Sequence, residues 1–409
     1  MSARTDRQRL LKGWAEVFGP AQVESLKALG HDLFEGARGG SHVASSHGAR
    51  YIDCVSGAGA YNLGRRHPAL VAAVREAMAQ TDQGNFPMIS EEKGKLAQAL
   101  AQFAPGDLEC SMFSVMRGEA FDFACKLARG FTGRPGLVAP QGSCFGQTGF
   151  ALALSAREDA DDFAPAMPQC ATFTWGDLEA AKRAIDERTA ALLIEPIQVE
   201  NGCREADAEQ LRELQRICRS RGALFVIDET QSGFGRCGAR FAFEEAGLEP
   251  DVLIVGEALG GGLFPIAATL FTQRVNSFMN DHPLIHLSTF GGSDLGCLVA
   301  RRALEIYQAQ QPWHNARAMG DRLRTACEEL AAKHGNKLHK VQGSGLLISL
   351  CLSSKARARK LCKLLAVHGV LSLPAEVDRR CVLLRPSLLL STLDADDIQS
   401  AVAAALETL

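Results

Sequence analysis

"PDVLIVGEALGGGLFPIAA" spans residues 250–268, and its reading decides the fold. The run "DVLIV" is apolar without alternation, which is how a strand reads when helices cover both faces of its sheet. "ALFVIDE", residues 223–229, has the same character. Such strands alternate along the chain with amphipathic stretches. "LECSMFSV" is followed by the helical "GEAFDFACKLARGFTG", and "RPGLVAP" and "TAALLIEPI" read as further strands. "DAEQLRELQRICRSRG" is a helix that stops at glycine. The alternation predicts an α/β chain with a mainly parallel sheet. A glycine triplet then turns the chain, and the carboxylate of Glu257 stands at the strand end, where doubly wound sheets bind ligands.

The bulk properties narrow the function classes. The chain has 409 residues, suited to one large unit and a smaller one. It is 46% hydrophobic and 22% charged with a net charge of −3, which offers no electrostatic case for nucleic acid or a membrane surface. Its 13 cysteines are scattered without zinc-type spacing, so no metal site is expected, and thiols used this way fit a reducing, cytoplasmic setting. The N-terminus is charged throughout, without a signal-type apolar core. No stretch approaches the roughly 18 to 20 apolar residues of a membrane span. About Thr5 to Leu29 reads as amphipathic helix. "LGCLVARRALEIYQAQ" reads as a long helix, "GSGLLISLCL" and "RCVLLRPSLLL" as C-terminal strands. "DADDIQSAVAAALETL" reads as a closing helix with Asp394 or Asp396 near its cap.

Three strand ends carry polar residues: Asp228 in "VIDETQSGFGRCG", Glu257 in "LIVGEALGGG", and Glu195, Gln198 and Glu200 in "LLIEPIQVENG". Any one acid there is explained by capping; several in one sheet point to a ligand site. The glycine clusters are equally well explained by turns that need positive φ.

These residues carry a resemblance. "GARYIDCVSGAGAYNLGRRHP", "EAFDFACKLARGFTGR", "IEPIQVENG", "DETQSGFGRCG", "EALGGGLFPIAA", "STFGGSDLGC" and "RPSLLLST" follow one another as in the class III aminotransferases, from about residue 30 to the C-terminus. That family includes the ornithine, acetylornithine and 4-aminobutyrate transaminases. The resemblance implies a pyridoxal-phosphate enzyme of fold type I, with a mainly parallel seven-stranded sheet in a large domain (51–300). A small α+β C-terminal domain (301–409) and an N-terminal helical segment (1–50) packed with it complete the chain. It also implies a homodimer with active sites at the interface and a small amino or keto substrate.

Carried over by position, the resemblance gives Asp228 the pyridine nitrogen, Gln198 the ring's 3-hydroxyl and Thr289 the phosphate of the neighbouring subunit. The lysine that holds the cofactor as a Schiff base falls 29 residues after Asp228, at Glu257. The departures continue around the same ligand. Met116-Arg117-Gly118 stands where Ser-Gly-Thr would cup the phosphate, and Cys144-Phe145-Gly146 where an aromatic would stack on the ring. The substrate-carboxylate arginine aligns with Leu383, with Arg385 two residues on. Arg385, Glu200 and Tyr61 are candidates for the entrance.

A carboxylate forms no Schiff base. Pyridoxal or pyridoxamine phosphate would therefore be held noncovalently, by Arg117 and Asp228, with Glu257 as an acid–base group. Two other readings stay open. One is a non-catalytic dimer that senses a ligand or pairs with an active paralogue. The other is a cofactor-free enzyme using Glu257 with Asp228, or Cys144 as a nucleophile.

Overall fold

The computed structural model describes residues 3–84, 88–158, 162 and 169–409. Its centre is a seven-stranded sheet. In chain order the strands are β1 (Cys110–Ser114), β2 (Gly136–Pro140), β3 (Cys170–Phe173), β4 (Thr189–Ile194), β5 (Leu224–Asp228), β6 (Val252–Val255) and β7 (Ala267–Phe271). The spatial order is β1-β7-β6-β5-β4-β2-β3. The pairs β6–β5, β5–β4, β4–β2 and β2–β3 are parallel, whereas β7 runs antiparallel to both β6 and β1. This is the expected α/β architecture, with one reversed strand.

The uninterrupted apolar runs follow from burial on both faces. Leu192, Ile194, Phe225, Ile227, Leu253 and Val255 belong to one core cluster. Their chain neighbours Ala191, Leu193, Leu224, Val226, Val252 and Ile254 belong to another. Successive residues of a strand point to opposite faces, so a sheet covered on both sides needs apolar residues at every position. The helix Ala208–Arg221 begins where Asp207 accepts from the N–H groups of Glu209 and Gln210. It ends at Gly222, with φ of 66°.

A second sheet joins the two ends of the chain. The strands Glu35–Gly39, His42–Ser45 and Arg50–Asp53 form a meander, and Arg50–Asp53 pairs in parallel with Val370–Leu371. A sheet therefore crosses residue 50, the boundary expected between an N-terminal segment and a large unit. A third sheet contains Leu338–Gln342, Ile348–Leu352, Cys381–Leu384 and Leu373–Pro374. The closing helix runs Thr392–Thr408, and its cap is Ser391, whose hydroxyl accepts from the N–H of Asp394. Asp394 lies near this cap, as expected, in the first turn, and turns its Oδ1 to His42 Nε2, 3.0 Å away.

The glycine clusters are structural. Gly261 and Gly262 have φ of 57° and 72°, and side chains there would fall on Leu70 and on the Tyr61 ring. The "GFGRCG" loop surrounds Arg236, a fully buried arginine. Its guanidinium donates to the Leu346 carbonyl (2.9 Å), to Asn62 Oδ1 (2.7 Å) and to the Pro386 carbonyl. One side chain thus joins four segments. Burial, with the charge of Arg385 adding to it, pulls its pKa down to about 10. Arg236→Met would leave those buried acceptors without a donor. It is expected to lower the unfolding free energy by about 3 kcal/mol, read as an earlier midpoint in denaturant titration. An unchanged midpoint would show that the clamp contributes nothing.

Candidate active site

The strand ends meet the start of the helix Arg117–Thr132. Ser114 pairs with Ala267, and Ala268 with Val255, so the ends of β1 and β6 stand level on either side of β7. Across two interstrand spacings, about 9 to 10 Å, residues just past β6 meet residues just past β1. The N-cap residue Met116 has no capping side chain to offer. Its helix therefore begins with unsatisfied N–H groups, and Glu257, the first residue of the short turn Glu257–Gly260, supplies an acceptor. Its Oε1 takes the N–H of Arg117 at 2.9 Å. The acid at the strand end is an anion seated on a helix N-terminus.

Among the buried polar atoms without hydrogen-bond partners are Arg117 Nη1, Thr148 Oγ1, whose residue stands against Gly118, and Asp228 Oδ2, whose carboxylate acts on Arg117. The other oxygen of Asp228 accepts from the Thr230 N–H at 2.8 Å. Burial raises the Asp228 carboxyl to about 6 against the pull of Thr230 and Arg117, and the charge of Glu257 adds to the rise. For the guanidinium of Arg117, burial acts downward. Cys144, Asp228, Glu200 and Glu257 outweigh it, and the pKa is raised. Gly118 lets the neighbouring loop close on the helix, because a Cβ there would stand 2.7 Å from Thr148 Oγ1. Thr148 was not singled out from the sequence. It provides a hydroxyl at the helix start, which Met116-Arg117-Gly118 lacks, and only the fold brings it there.

The remaining expected residues separate into groups. Cys144 is buried: its N–H donates to Glu195 Oε2 at 2.8 Å, and its Sγ to Glu376 Oε2 at 3.9 Å. Burial, then the charges of Glu195 and Glu200, push its thiol well up, which suits a packed thiol better than a nucleophile. The Phe145 ring stacks on Phe121 in the core, with centroids 4.4 Å apart. Gln198 is buried and engaged. Its Nε2 donates to the Gln141 carbonyl (2.9 Å) and Ser143 Oγ (3.2 Å), and its Oε1 accepts from Asn201 Nδ2 (2.9 Å).

Arg385 and Glu200 do not line an entrance. Both are buried, and Arg385 Nη1 donates to Glu200 Oε1 (2.8 Å) and Gln231 Oε1 (2.7 Å). The pairing explains the correction: a buried guanidinium needs a counter-charge, and Glu200 provides it. Tyr61 does line an opening, a cavity of about 530 Å³ shared with Arg38, Arg65, Arg66 and Leu263, and Arg65 sits over its ring at 4.2 Å. Thr289 is exposed, among the exposed apolar side chains of Leu284, Ile285, Leu287 and Phe290.

Comparison with known proteins gives the family of the chain. The family described as aminotransferase class-III matches residues 31–406. An uncharacterized aminotransferase of Archaeoglobus fulgidus is 33% identical over 406 residues, 99% of this chain and 96% of that protein. The fold matches the ornithine aminotransferase of Toxoplasma gondii with a TM-score of 0.87 at 24% identity, over 92% of this chain and 90% of that one. The acetylornithine aminotransferase of Elizabethkingia anophelis matches with a TM-score of 0.81, also at 24% identity, over 92% and 94%. The chain belongs to the class III aminotransferases.

Pyridoxal phosphate is the cofactor that this family implies. The residues present fit it in their chemistry. A buried carboxylate oxygen without a partner suits a protonated ring nitrogen, and a guanidinium with a hydroxyl at a helix start suits a phosphate. One donor of that helix start is already held by Glu257.

The buried acids also set a pH response. Asp228 is raised to about 6, and Glu229 is raised by burial to about 7, both above their usual range. The folded chain then binds these protons more tightly than the unfolded chain does. Their effect is absent below about pH 4, and stability falls as pH rises from there through 6 and 7. Asp228→Asn is expected to flatten the lower part of that fall, seen as a smaller loss of denaturation midpoint between about pH 4 and pH 6. Identical slopes in variant and parent would contradict it.

Proposed function

We propose that this chain holds pyridoxal or pyridoxamine phosphate without a covalent link and acts on a small amino or keto compound. The observation that supports this best is the buried, unpartnered Oδ2 of Asp228, whose charge acts on Arg117, itself with an unpartnered Nη1. In this reading Asp228 keeps a proton on the ring nitrogen, while Arg117 and Thr148 hold the phosphate. Glu257, where the family's lysine is expected, holds or moves a proton at Oε1. The bound cofactor supplies an electron sink that acidifies the carbon next to a substrate nitrogen. Tyr61 and the cavity it lines provide access. The exposed apolar residues around Thr289 support a homodimer in which that threonine serves the partner's site.

A second reading is favoured by one contact. Glu257 already satisfies Arg117 N–H, so the site is partly self-filled, as suits a non-catalytic homologue that retains the scaffold.

Pyridoxamine phosphate binding separates the two. The parent protein is expected to retain the cofactor's absorbance through gel filtration. Asp228→Asn should bind about 10- to 100-fold more weakly, the cost of a lost charge-assisted hydrogen bond. Glu257→Lys is expected to become yellow with pyridoxal phosphate and to fix it covalently on borohydride treatment. A parent that binds nothing, with a Glu257→Lys variant that stays colourless, would leave the scaffold reading.

A further inference from the structure

Away from this site, two cysteines face each other across a strand pair. Cys351 of Ile348–Leu352 is directly opposite Cys381 of Cys381–Leu384, and their Sγ atoms are 2.6 Å apart. The N–H of Leu352 donates to the Arg380 carbonyl at 3.0 Å. The next opposed pair, Cys351 and Cys381, is then a non-hydrogen-bonded one, where side chains on antiparallel strands come closest. Cys351 is partly exposed and lines a cavity of about 670 Å³ with Arg204, His339, Lys340 and Arg380. Asp378 in the same lining pairs with Arg380, which leaves Arg204 and Lys340 as its excess positive charge. Cys381 is buried behind it, against Gly202.

We propose that Cys351 and Cys381 form a thiol–disulfide site, oxidised by a small anionic disulfide that docks in the adjoining basic cavity. The two sulfurs have distinct roles. Hydrogen bonding from Cys381 lowers the Cys351 thiol to about 7 despite burial, and Ser349 assists, while Cys381 is raised. Cys351 is also the sulfur that faces the cavity, whereas Cys381 is buried, so Cys351 is the attacking thiolate. Its Sγ attacks one sulfur of the small disulfide, whose S–S bond breaks, and one thiol departs with a proton. Cys381 Sγ then attacks Cys351 Sγ, releasing the second small thiol with the proton that Cys381 gives up. Two electrons pass from the protein thiols to the small disulfide. The product is a bond between strands in the stretch that leads directly to Arg385 and packs on Gly202, two residues from Glu200.

The test is incubation of the full-length protein with excess oxidised glutathione, then alkylation and mass spectrometry without reductant. The expected result is the loss of two of the 13 thiols, with the peptides of Cys351 and Cys381 linked and dithiothreitol reversing the link. Cys381→Ser should instead trap glutathione on Cys351, and Cys351→Ser should abolish the reaction at both positions. Lys340→Glu should slow oxidation by glutathione disulfide about threefold or more while leaving neutral 2-hydroxyethyl disulfide unaffected. Separate alkylation of both cysteines, or a Cys381→Ser protein without an adduct, would overturn the pairing. Equal rates with both disulfides in Lys340→Glu would overturn the docking cavity.

Discussion

A helix that starts without its own cap must borrow an acceptor, and the arrangement of this site depends on where that acceptor comes from. Met116 has no side chain suited to the task, and Glu257 provides the carboxylate from another element. The loan is possible because β7 holds the ends of β1 and β6 level. Once Glu257 is fixed there, the half-buried side chain of Arg117 lies among the charges of Asp228, Glu200 and Glu257. The same contact explains how an acid is tolerated where the family resemblance implies a lysine. It is held by a positive helix end and not left as an isolated charge.

The interior around this contact is unusually rich in ionisable groups, and they fall into two kinds. Glu200 with Arg385, and Arg236 with its carbonyl partners, are joined through their terminal guanidinium nitrogens, although each arginine keeps an unpaired Nε, and they fix segments distant in sequence. Arg117 Nη1, Thr148 Oγ1 and Asp228 Oδ2 are unsatisfied and lie at the carboxyl side of the sheet. Buried polar atoms are rarely left unpaired in a folded chain. A ligand bound at the carboxyl side of the sheet would supply partners for these three.

Much of the fold was legible in the residues. β5 and β6 read as buried strands because both faces are covered, and Asp207 with Gly222 marked the limits of one helix. The reversal of β7 was not legible, since Ala267–Phe271 is as apolar as its parallel neighbours and strand direction is set by topology. The cap of the closing helix was read only to its neighbourhood, although "STLD" at 391–394 contains the hydroxyl and acid of an N-terminal signature. In the site, Asp228 and Glu257 were found from their places at strand ends. The pairing of Glu200 with Arg385 was missed because it spans much of the chain, and Thr148 because nothing local distinguishes it.

Arg236 has a consequence for how the molecule comes apart. The segments around Asn62, Leu346 and Pro386 all present an acceptor to one guanidinium, beside direct bonds such as Leu388 N–H to the Asn62 carbonyl, so detaching any of them exposes the charge and weakens the hold on the others. A protease acting on the native chain would then find few stable halfway fragments. Truncating the gene ahead of residue 346 would leave this arginine without two of its partners and would give an insoluble remnant in place of a smaller working module.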